Sequence, residues 1–155
     1  LILLGTSAGL DGYSRVVLQN MVYVRRSNMS REQLVRNTAP FIYSAALLDD
    51  GERYERAIQA TVDNPYTQQD HAFIRQVQAI LAWDATSRSN GIKSSTLVVT
   101  NSDDILVPPR NGEKLSKLIS GAKLVSLDGG HAGVTEAPHE HNTAFLEFLG
   151  AGVPA

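Results

Sequence analysis

The strongest constraint on the fold is a pair of β-rich segments near the end of the chain, joined by one amphipathic segment. Residues 96–109 run through a strand-like stretch into a turn with Asp104, and residues 123–131 run through another to His131. Between them, Gly112 to Ile119 repeats leucine and isoleucine at the spacing of one helical face. A strand, a crossover helix and a second strand give two parallel strands, whose carboxyl ends meet at one edge of the sheet. The sequence therefore predicts that Asp104 and His131 emerge side by side, where a carboxylate can orient an imidazole.

These segments are part of a longer pattern that resembles the C-terminal half of an α/β-hydrolase. The matching positions are Asp104-Ile-Leu-Val-Pro-Pro109, Gly129-Gly-His131, Glu136-Ala-Pro138, Asn142 and Phe145-Leu-Glu-Phe-Leu149. The resemblance is greatest to small-molecule esterases, lactonases, C–C bond hydrolases and cofactor-free haloperoxidase-like enzymes. It is strong from residue 96 to residue 149 and loose before that. It implies an α/β fold in which parallel strands alternate with crossover helices and a helical cap is inserted.

The resemblance also implies roles for the acid and the histidine. In the family pattern, the aspartate four residues before the first proline is the acid of a catalytic triad, which corresponds to Asp104. The histidine after the glycines is the triad base, which corresponds to His131. Asp103 is an alternative acid, but its spacing to the proline is less favourable, and we expect it to bond turn amides instead. The family usually has glycine where this chain has Asn101, a residue that also tolerates tight turns.

The beginning of the chain allows two interpretations of Ser7. The run Gly5-Thr-Ser7-Ala-Gly9 follows apolar residues and matches a nucleophile elbow, in which a serine occupies a strained turn between a strand and a helix. Alternatively, residues 1–9 correspond to the strand that follows the nucleophile helix, and the true serine lies upstream. We favour the second interpretation, because Gly12 would weaken the helix that must follow an elbow. Ser7 stays a candidate nucleophile.

The catalytic machinery is expected to be incomplete in either case. Acyl transfer needs an oxyanion hole, and in this fold one of its donors comes from a loop after an early strand. No segment here corresponds to that loop. Because the chain starts inside a strand-like run without an initiator methionine, we expect it to be part of a longer protein. The first strand would then have an open edge for a partner, either the missing N-terminal half or an exchanged copy of this chain.

The pattern divides the chain into three parts. Residues 1–12 are predicted to form a core strand and a loop. Residues 13–90 are helical, and the resemblance identifies them as a cap that shapes the substrate pocket and excludes water. Residues 91–155 are the C-terminal part of the α/β core, with the acid and the histidine.

Helix boundaries within the cap follow from local signals. Ser14 is predicted to cap the first helix, and Ser30 to Gln33 has the form of a capping box for the second. Pro40 is predicted to end that second helix. The remaining predicted helices are Glu52 to Val62 and one that is capped by Thr67 or Asp70.

Composition excludes several classes of function. The 155 residues, 43% of them hydrophobic, suit one domain with a sizeable core. With a formal net charge of −2 and scattered basic residues, the sequence predicts no nucleic-acid partner. The absence of cysteine excludes disulfides and thiolate sites. No apolar run approaches the length of a membrane span, so we expect no membrane partner, and a cytoplasmic location is the default.

A metal site is the main competing chemistry. His139 and His141, with His131 and Glu136, could suggest a cluster of ligands. Zinc ligands must converge on one point, whereas the first two histidines flank the start of the last helix, where polar residues usually face solvent. We therefore expect neither a metal nor an organic cofactor.

The sequence thus predicts a hydrolase of a small ester, lactone or related substrate, which acts through a serine ester. Because its nucleophile is expected to lie outside this chain, the chain by itself is expected to be inactive. Two alternatives from other classes are a non-catalytic protein of the same fold that binds a small molecule, and an interaction module whose sheet edge docks another protein. The identity of the substrate does not follow from the fold.

Overall fold

The computed structural model describes residues 1–150 and contains a three-stranded parallel sheet in the order β1-β2-β3. The strands are β1 (Ile2–Leu4), β2 (Leu97–Asn101) and β3 (Lys123–Leu127). The middle strand is buried at every position, as expected for an apolar strand that pairs on both sides. The predicted α/β fold with parallel strands is confirmed.

The helices between β1 and β2 form the largest part of the structure. They are α1 (Gly12–Arg25), α2 (Arg31–Ile42), α3 (Ala45–Asp49), α4 (Gly51–Asp63) and α5 (Asp70–Ala82). Val17, Leu18 and Met21 of α1 pack with Val77 of α5 in a hydrophobic cluster that is separate from the cluster beneath the sheet. These helices occupy the region predicted to be a cap, although the division into cap and core itself stays a prediction.

A single helix, α6 (Pro109–Leu118), crosses from β2 to β3 as predicted. Its first residue is a proline, whose fixed φ suits a helix start and whose missing N–H would have had no partner there. Leu115 is buried in the cluster beneath the sheet. Gly112 lies directly against the Thr100 side chain of β2, and a Cβ at this position would collide with the threonine methyl group. Glycine therefore lets this helix lie close against the sheet.

Two helices follow β3, namely the short α7 (Gly133–Glu136) and the longer α8 (Pro138–Leu149). A 3-10 turn at Ser89–Gly91 precedes β2. Within residues 1–150, no helix combines the length and the apolar character that a membrane span requires.

The start of α1 corrects one predicted boundary, and two others are confirmed. The cap of α1 is Asp11, whose carboxylate accepts a hydrogen bond from the backbone N–H of Ser14 at 2.8 Å. The prediction that Ser14 caps this helix was therefore wrong, because the residue three positions earlier reaches the free N–H first. The capping box from Ser30 to Gln33 is present, and the helix predicted from Glu52 to Val62 corresponds to α4.

Two further boundaries differ from the prediction. Pro40 does not end α2, which continues to Ile42. Because Pro40 lies in the last turn, its missing N–H removes one hydrogen bond near the helix end, where its effect is smaller than in the middle. The residue that precedes α5 is Gln69, which makes no side-chain cap hydrogen bond, so neither Thr67 nor Asp70 caps that helix.

A salt bridge joins α1 to α6. Nη2 of Arg110 lies 2.6 Å from Oδ2 of Asp11, and Nε of Arg110 donates a hydrogen bond to the same oxygen at 2.8 Å. Burial alone would raise the pKa of Asp11, but the Ser14 N–H and the Arg110 guanidinium outweigh this effect and hold the pKa below the usual 3.8. The ionised form of Asp11 therefore stabilises both the start of α1 and its attachment to the core.

Replacing Asp11→Ala is expected to lower the free energy of unfolding by about 1–2 kcal/mol at neutral pH, through loss of the cap. A carboxyl with a lowered pKa in the folded state stabilises above its unfolded pKa, and this stabilisation is lost as the pH falls through the folded value. The difference in unfolding free energy between wild type and variant should therefore be constant near pH 7 and shrink as the pH falls below the usual value of 3.8 towards the lower folded pKa. Urea unfolding from pH 7 down to pH 3 measures it, with Asp11→Asn as a control that keeps the cap without the charge. A deficit of the same size at pH 3 and pH 7 would contradict the prediction.

Candidate active site

Asp104 and His131 meet at the carboxyl edge of the sheet. Asp104 follows β2, His131 follows β3, and Nδ1 of the histidine lies 2.9 Å from Oδ2 of the aspartate. The aspartate side chain is only 1% exposed, and its second oxygen accepts the backbone N–H of Val107 at 2.7 Å. Both oxygens of this buried carboxylate are therefore hydrogen-bonded, as a buried charge requires. The predicted contact is present, while the catalytic roles of the two residues stay a prediction.

The hydrogen bond determines which nitrogen of His131 can act as a base. A carboxylate only accepts hydrogen bonds, so Nδ1 carries the proton and Nε2 keeps a lone pair. The histidine side chain is 31% exposed, and Nε2 has no hydrogen-bond partner within residues 1–150. Gly5 lies behind the pair with φ +53°, and a Cβ there would lie 3.6 Å from the Asp104 carboxylate and the His131 ring. The arrangement holds the ring from one side and leaves its basic nitrogen open.

The alternative acid, Asp103, points elsewhere. Its Oδ2 accepts a hydrogen bond at 3.3 Å from the backbone N–H of Ala45, the first residue of α3. The structure therefore pairs His131 with Asp104, the acid that the spacing favoured. Asp103 bonds a backbone amide, as expected, but the amide belongs to a cap helix and not to its own turn.

Ser7 lies near the histidine without bonding to it. Both residues line a cavity of about 390 Å³, which Trp83 also borders, but no hydrogen bond joins them. Residues 5–11 form a loop between β1 and α1, and no residue other than glycine in residues 1–150 has a positive φ. The sharp, strained turn of a nucleophile elbow is therefore missing around Ser7. This geometry favours the interpretation of residues 1–9 as a strand that follows the nucleophile helix.

A larger cavity of about 450 Å³ leads from His131 into the helical region. Its walls include Leu18 and Met21 of α1 and Phe73 and Ile80 of α5. Most of the lining is apolar, which is typical of pockets that bind small organic molecules. The histidine thus lies at the junction of two cavities beneath the cap helices.

The two glycines before His131 serve two different needs. Gly129 has φ +133°, which L side chains rarely adopt. Gly130 lies against the backbone between α2 and α3, where a Cβ would come within 2.5 Å of the Tyr43 carbonyl carbon and 2.6 Å of the Ser44 nitrogen. The glycine pair therefore provides both backbone freedom and a close approach to the backbone between α2 and α3.

Glu136 joins the same loop to the cap by hydrogen bonds. Its Oε1 accepts the backbone N–H of Gly130 at 3.1 Å and that of Ser44 at 3.2 Å. Its Oε2 accepts the Ser44 hydroxyl, and Ser44 is also the N-cap of α3. The loop that carries His131 is therefore attached to the helical cap through one carboxylate.

Two buried polar residues were not identified from the sequence. His141 is fully buried, so the expectation that it faces solvent was wrong, and it contacts Asn101 at the end of β2. The burial could have been inferred from spacing, because His141 lies three and four residues before Ala144 and Phe145 on one face of α8. Asn101 is an extended strand residue, so tolerance of a tight turn does not explain its presence.

The residues considered as metal ligands have separate partners. His131 bonds Asp104, Glu136 bonds Ser44 and Gly130, and His141 bonds Asn101. In the part of the chain that the structure describes, no three His, Cys, Asp or Glu side chains are grouped to hold a metal ion.

Replacing Gly130→Ala should disturb the histidine loop, because the new Cβ would meet backbone atoms that cannot move aside. We expect a loss of about 1–3 kcal/mol in the free energy of unfolding. Urea unfolding measures this loss, and the NMR signal of the His131 Nδ1 proton reports the displaced contact with Asp104. Gly51→Ala is the matched control, since Gly51 lies in α4 with open space around its Cβ position. Equal stability of the two variants would show that the close approach at Gly130 has no energetic consequence.

Comparison with known proteins places this geometry in a family context. No family model matches the chain. It is 30% identical over 132 residues to a Pseudomonas savastanoi protein named "Putative carbamate hydrolase RutD", a match that covers 80% of this chain and 48% of the relative. It is also 32% identical over 75 residues to a pyrrolizixenacetamide deacetylase from Xenorhabdus hominickii, covering 48% of this chain and 28% of that protein. The chain thus spans about half the length or less of these relatives.

Solved structures establish the fold. The enol-lactonase from Burkholderia xenovorans superposes with a TM-score of 0.81 at 24% identity, over 96% of this chain and 55% of that one. MGS-M2, an alpha/beta hydrolase from a deep-sea metagenome library, superposes with a TM-score of 0.79 at 21% identity, over 99% of this chain and 57% of that one. The part covered is the C-terminal portion of such proteins. The resemblance to the C-terminal half of an α/β-hydrolase is confirmed, and this chain has that part of the α/β-hydrolase fold.

Proposed function

We propose that this α/β-hydrolase chain supplies the acid and the base of a serine-type acyl hydrolase. The observation that carries the proposal is the hydrogen bond between buried Asp104 and His131, with Nε2 of the histidine left open beside a cavity. The catalytic role of both residues is part of the proposal. Support comes from their location after β2 and β3, and from relatives whose names describe hydrolysis of carbamates, amides and lactones.

The geometry suits a two-step acyl transfer. His131 would take the proton of a serine hydroxyl at Nε2 while the serine oxygen attacks the substrate carbonyl, and would then give that proton to the leaving group. Asp104 would keep the ring in the required tautomer and stabilise its positive charge. A water molecule, activated by the same nitrogen, would then hydrolyse the serine ester and release the acid. No metal or organic cofactor takes part in these steps.

The nucleophile and the oxyanion hole are proposed to come from a segment outside this chain. Ser7 lacks both an elbow geometry and a hydrogen bond to His131. The relatives have about twice the length that this chain covers. Within residues 1–150, β1 pairs only with β2, and a parallel strand added at its other edge would end beside Gly5, which lies against His131. The missing N-terminal half, on the same chain or on a second one, is the proposed partner.

The proposed substrate is a small ester, lactone or related acyl compound with an apolar portion. The cavity of about 450 Å³ that starts at His131 is lined mainly by aliphatic and aromatic side chains of the cap helices. Such walls bind the apolar part of a ligand and contribute little to the discrimination of its polar groups.

The open edge of β1 supports a second candidate function. Without a nucleophile, the chain could bind a small molecule beneath its cap without turnover, or dock another protein at this edge. Both alternatives predict folding and binding in the absence of catalysis, which distinguishes them from the hydrolase proposal.

Turnover of p-nitrophenyl butyrate tests the proposal. We expect no turnover by residues 1–155 alone and measurable turnover by the full product of the gene that encodes them. In that product His131→Ala should lower kcat by at least about a thousandfold, and Asp104→Asn by about ten-thousandfold, because the ring would adopt the wrong tautomer.

Three outcomes matter for interpreting this experiment. Ser7→Ala and the control His139→Ala, on the exposed start of α8, should leave turnover unchanged. Loss of turnover in Ser7→Ala would restore the elbow interpretation of residues 5–9. Full activity of His131→Ala would remove the basis for the hydrolase proposal.

The open strand edge makes a separate prediction about association. Leu1 and Gly5, which flank β1, bond to β2, so the alternation of a parallel strand directs the N–H groups of Ile2 and Leu4 to the open edge. We expect residues 1–155 alone to self-associate through this edge. Leu4→Pro should reduce the association, because it removes the Leu4 N–H from the open edge and leaves the hydrogen bonds between β1 and β2 intact. Light scattering measures the association. A folded, monomeric wild-type chain would count against a partner at this edge.

A further inference from the structure

A buried asparagine–histidine pair lies directly behind the loop that carries His131. Asn101, the last residue of β2, and His141 in α8 both have 0% exposure. Nε2 of His141 lies 2.9 Å from Oδ1 of Asn101, and Nδ1 lies 2.8 Å from the carbonyl oxygen of Ala137. Nδ2 of Asn101 donates to the carbonyl oxygen of Gly130 at 2.8 Å. The three contacts form one chain that runs from the start of α8 to the residue before His131.

The donors and acceptors of this chain depend on one another. The carbonyl oxygens of Gly130 and Ala137 can only accept, so Asn101 must present its NH2 group to Gly130 and His141 must carry a proton on Nδ1. Oδ1 of Asn101 then faces Nε2 of His141. Rotating the amide by 180° would place Oδ1 against the Gly130 oxygen, two acceptors at hydrogen-bond distance. The arrangement is therefore specific, and removing either side chain leaves a buried polar group of the other without a partner.

Asn101 touches both loops of the candidate active site. Its side chain bonds the Gly130 carbonyl, one residue before His131, and its backbone carbonyl accepts the N–H of Asp104 at 3.1 Å. The Gly130 peptide nitrogen is held from another direction by Glu136. The amide of Asn101 is also enclosed, since a Cβ at Gly133 would come within 2.7 Å of it. The residue before His131 is thus fixed at both its N–H and its C=O.

We propose that Asn101 and His141 are positioning residues for His131. Through the Gly130 carbonyl, they hold the histidine loop in the orientation that lets Nδ1 meet Asp104 and leaves Nε2 directed into the cavity. A glycine at residue 101 would provide neither of the two side-chain hydrogen bonds. The catalytic consequence rests on the proposed function, whereas the control of His131 geometry does not.

Four variants separate positioning from simple stabilisation. Asn101→Gly and His141→Phe each leave a buried group unpaired, and the double variant removes both polar side chains together. His139→Phe is the matched control, because His139 lies exposed in the same helix. The first readout is the NMR signal of the His131 Nδ1 proton in residues 1–155, which needs no turnover. The second is kcat and KM for p-nitrophenyl butyrate in the full gene product, and the third is the thermal unfolding midpoint.

Positioning predicts a specific combination of results. Both single variants should shift or broaden the His131 signal and lower kcat by about ten- to a hundredfold with KM changed by less than about twofold, since small misplacements of a reacting group cost rate. The double variant should regain thermal stability, because the Gly130 and Ala137 carbonyls still accept backbone N–H groups and no buried side chain is left unpaired. Its His131 signal and kcat should stay impaired, because the Gly130 carbonyl has lost the hydrogen bond from Asn101. The control should match wild type in all three measurements.

The proposal is overturned if the His131 signal and kcat recover together with thermal stability in the double variant, since the pair would then be only structural. Should the single variants fail to fold, the double variant decides by the same comparison. If wild type shows no turnover, the proposed function fails, and the NMR signal still decides whether the pair positions His131.

Discussion

The buried carboxylate of Asp104 is the group on which the site depends. A charge this deeply enclosed is tolerated only where its oxygens are hydrogen-bonded, and both are, one by the Val107 N–H and the other by His131. The parallel pairing of β2 with β3 makes this possible, because it brings the two loops to the same edge of the sheet. If the strands were antiparallel neighbours, the aspartate and the histidine would lie at opposite edges, and the carboxylate would have no imidazole to orient.

The histidine loop is also the place where the helices between β1 and β2, predicted to be a cap, contact the segment that follows β3. Glu136 bonds both Gly130 and Ser44, and Gly130 itself approaches the backbone between α2 and α3 too closely for any side chain. Asn101 holds the opposite side of the same residue. A displacement of the cap would therefore act directly on the loop before His131. His131 also lines the two cavities beneath these helices.

Local signals predicted much of the fold, and their errors have definite causes. The strand, helix and strand from residue 96 to residue 127 were predictable because hydrophobic periodicity reflects burial directly. The capping box at Ser30 was predictable because its hydrogen bonds join residues only three positions apart. Ser14 was misassigned because Asp11, three positions earlier, is a second candidate for the cap and also gains Arg110, which is distant in sequence. The burial of His141 could have been inferred from its spacing in α8, but its partner Asn101 lies forty positions away and could not.

By itself, the sequence determined the parallel arrangement of the core strands, the pairing of an acid with a histidine, and the location of helices over the site. These follow from periodicity, turn residues and motif spacing, which are properties of neighbouring residues. Only the tertiary structure showed that His131 contacts Asp104 and not Asp103, and that Ser7 does not occupy an elbow turn. Only the tertiary structure revealed the Asn101–His141 pair behind the histidine loop. Each of these depends on the direction of a side chain or on a backbone angle, and on contacts between segments distant in sequence. Such contacts are created only when the sheet and the helices pack together.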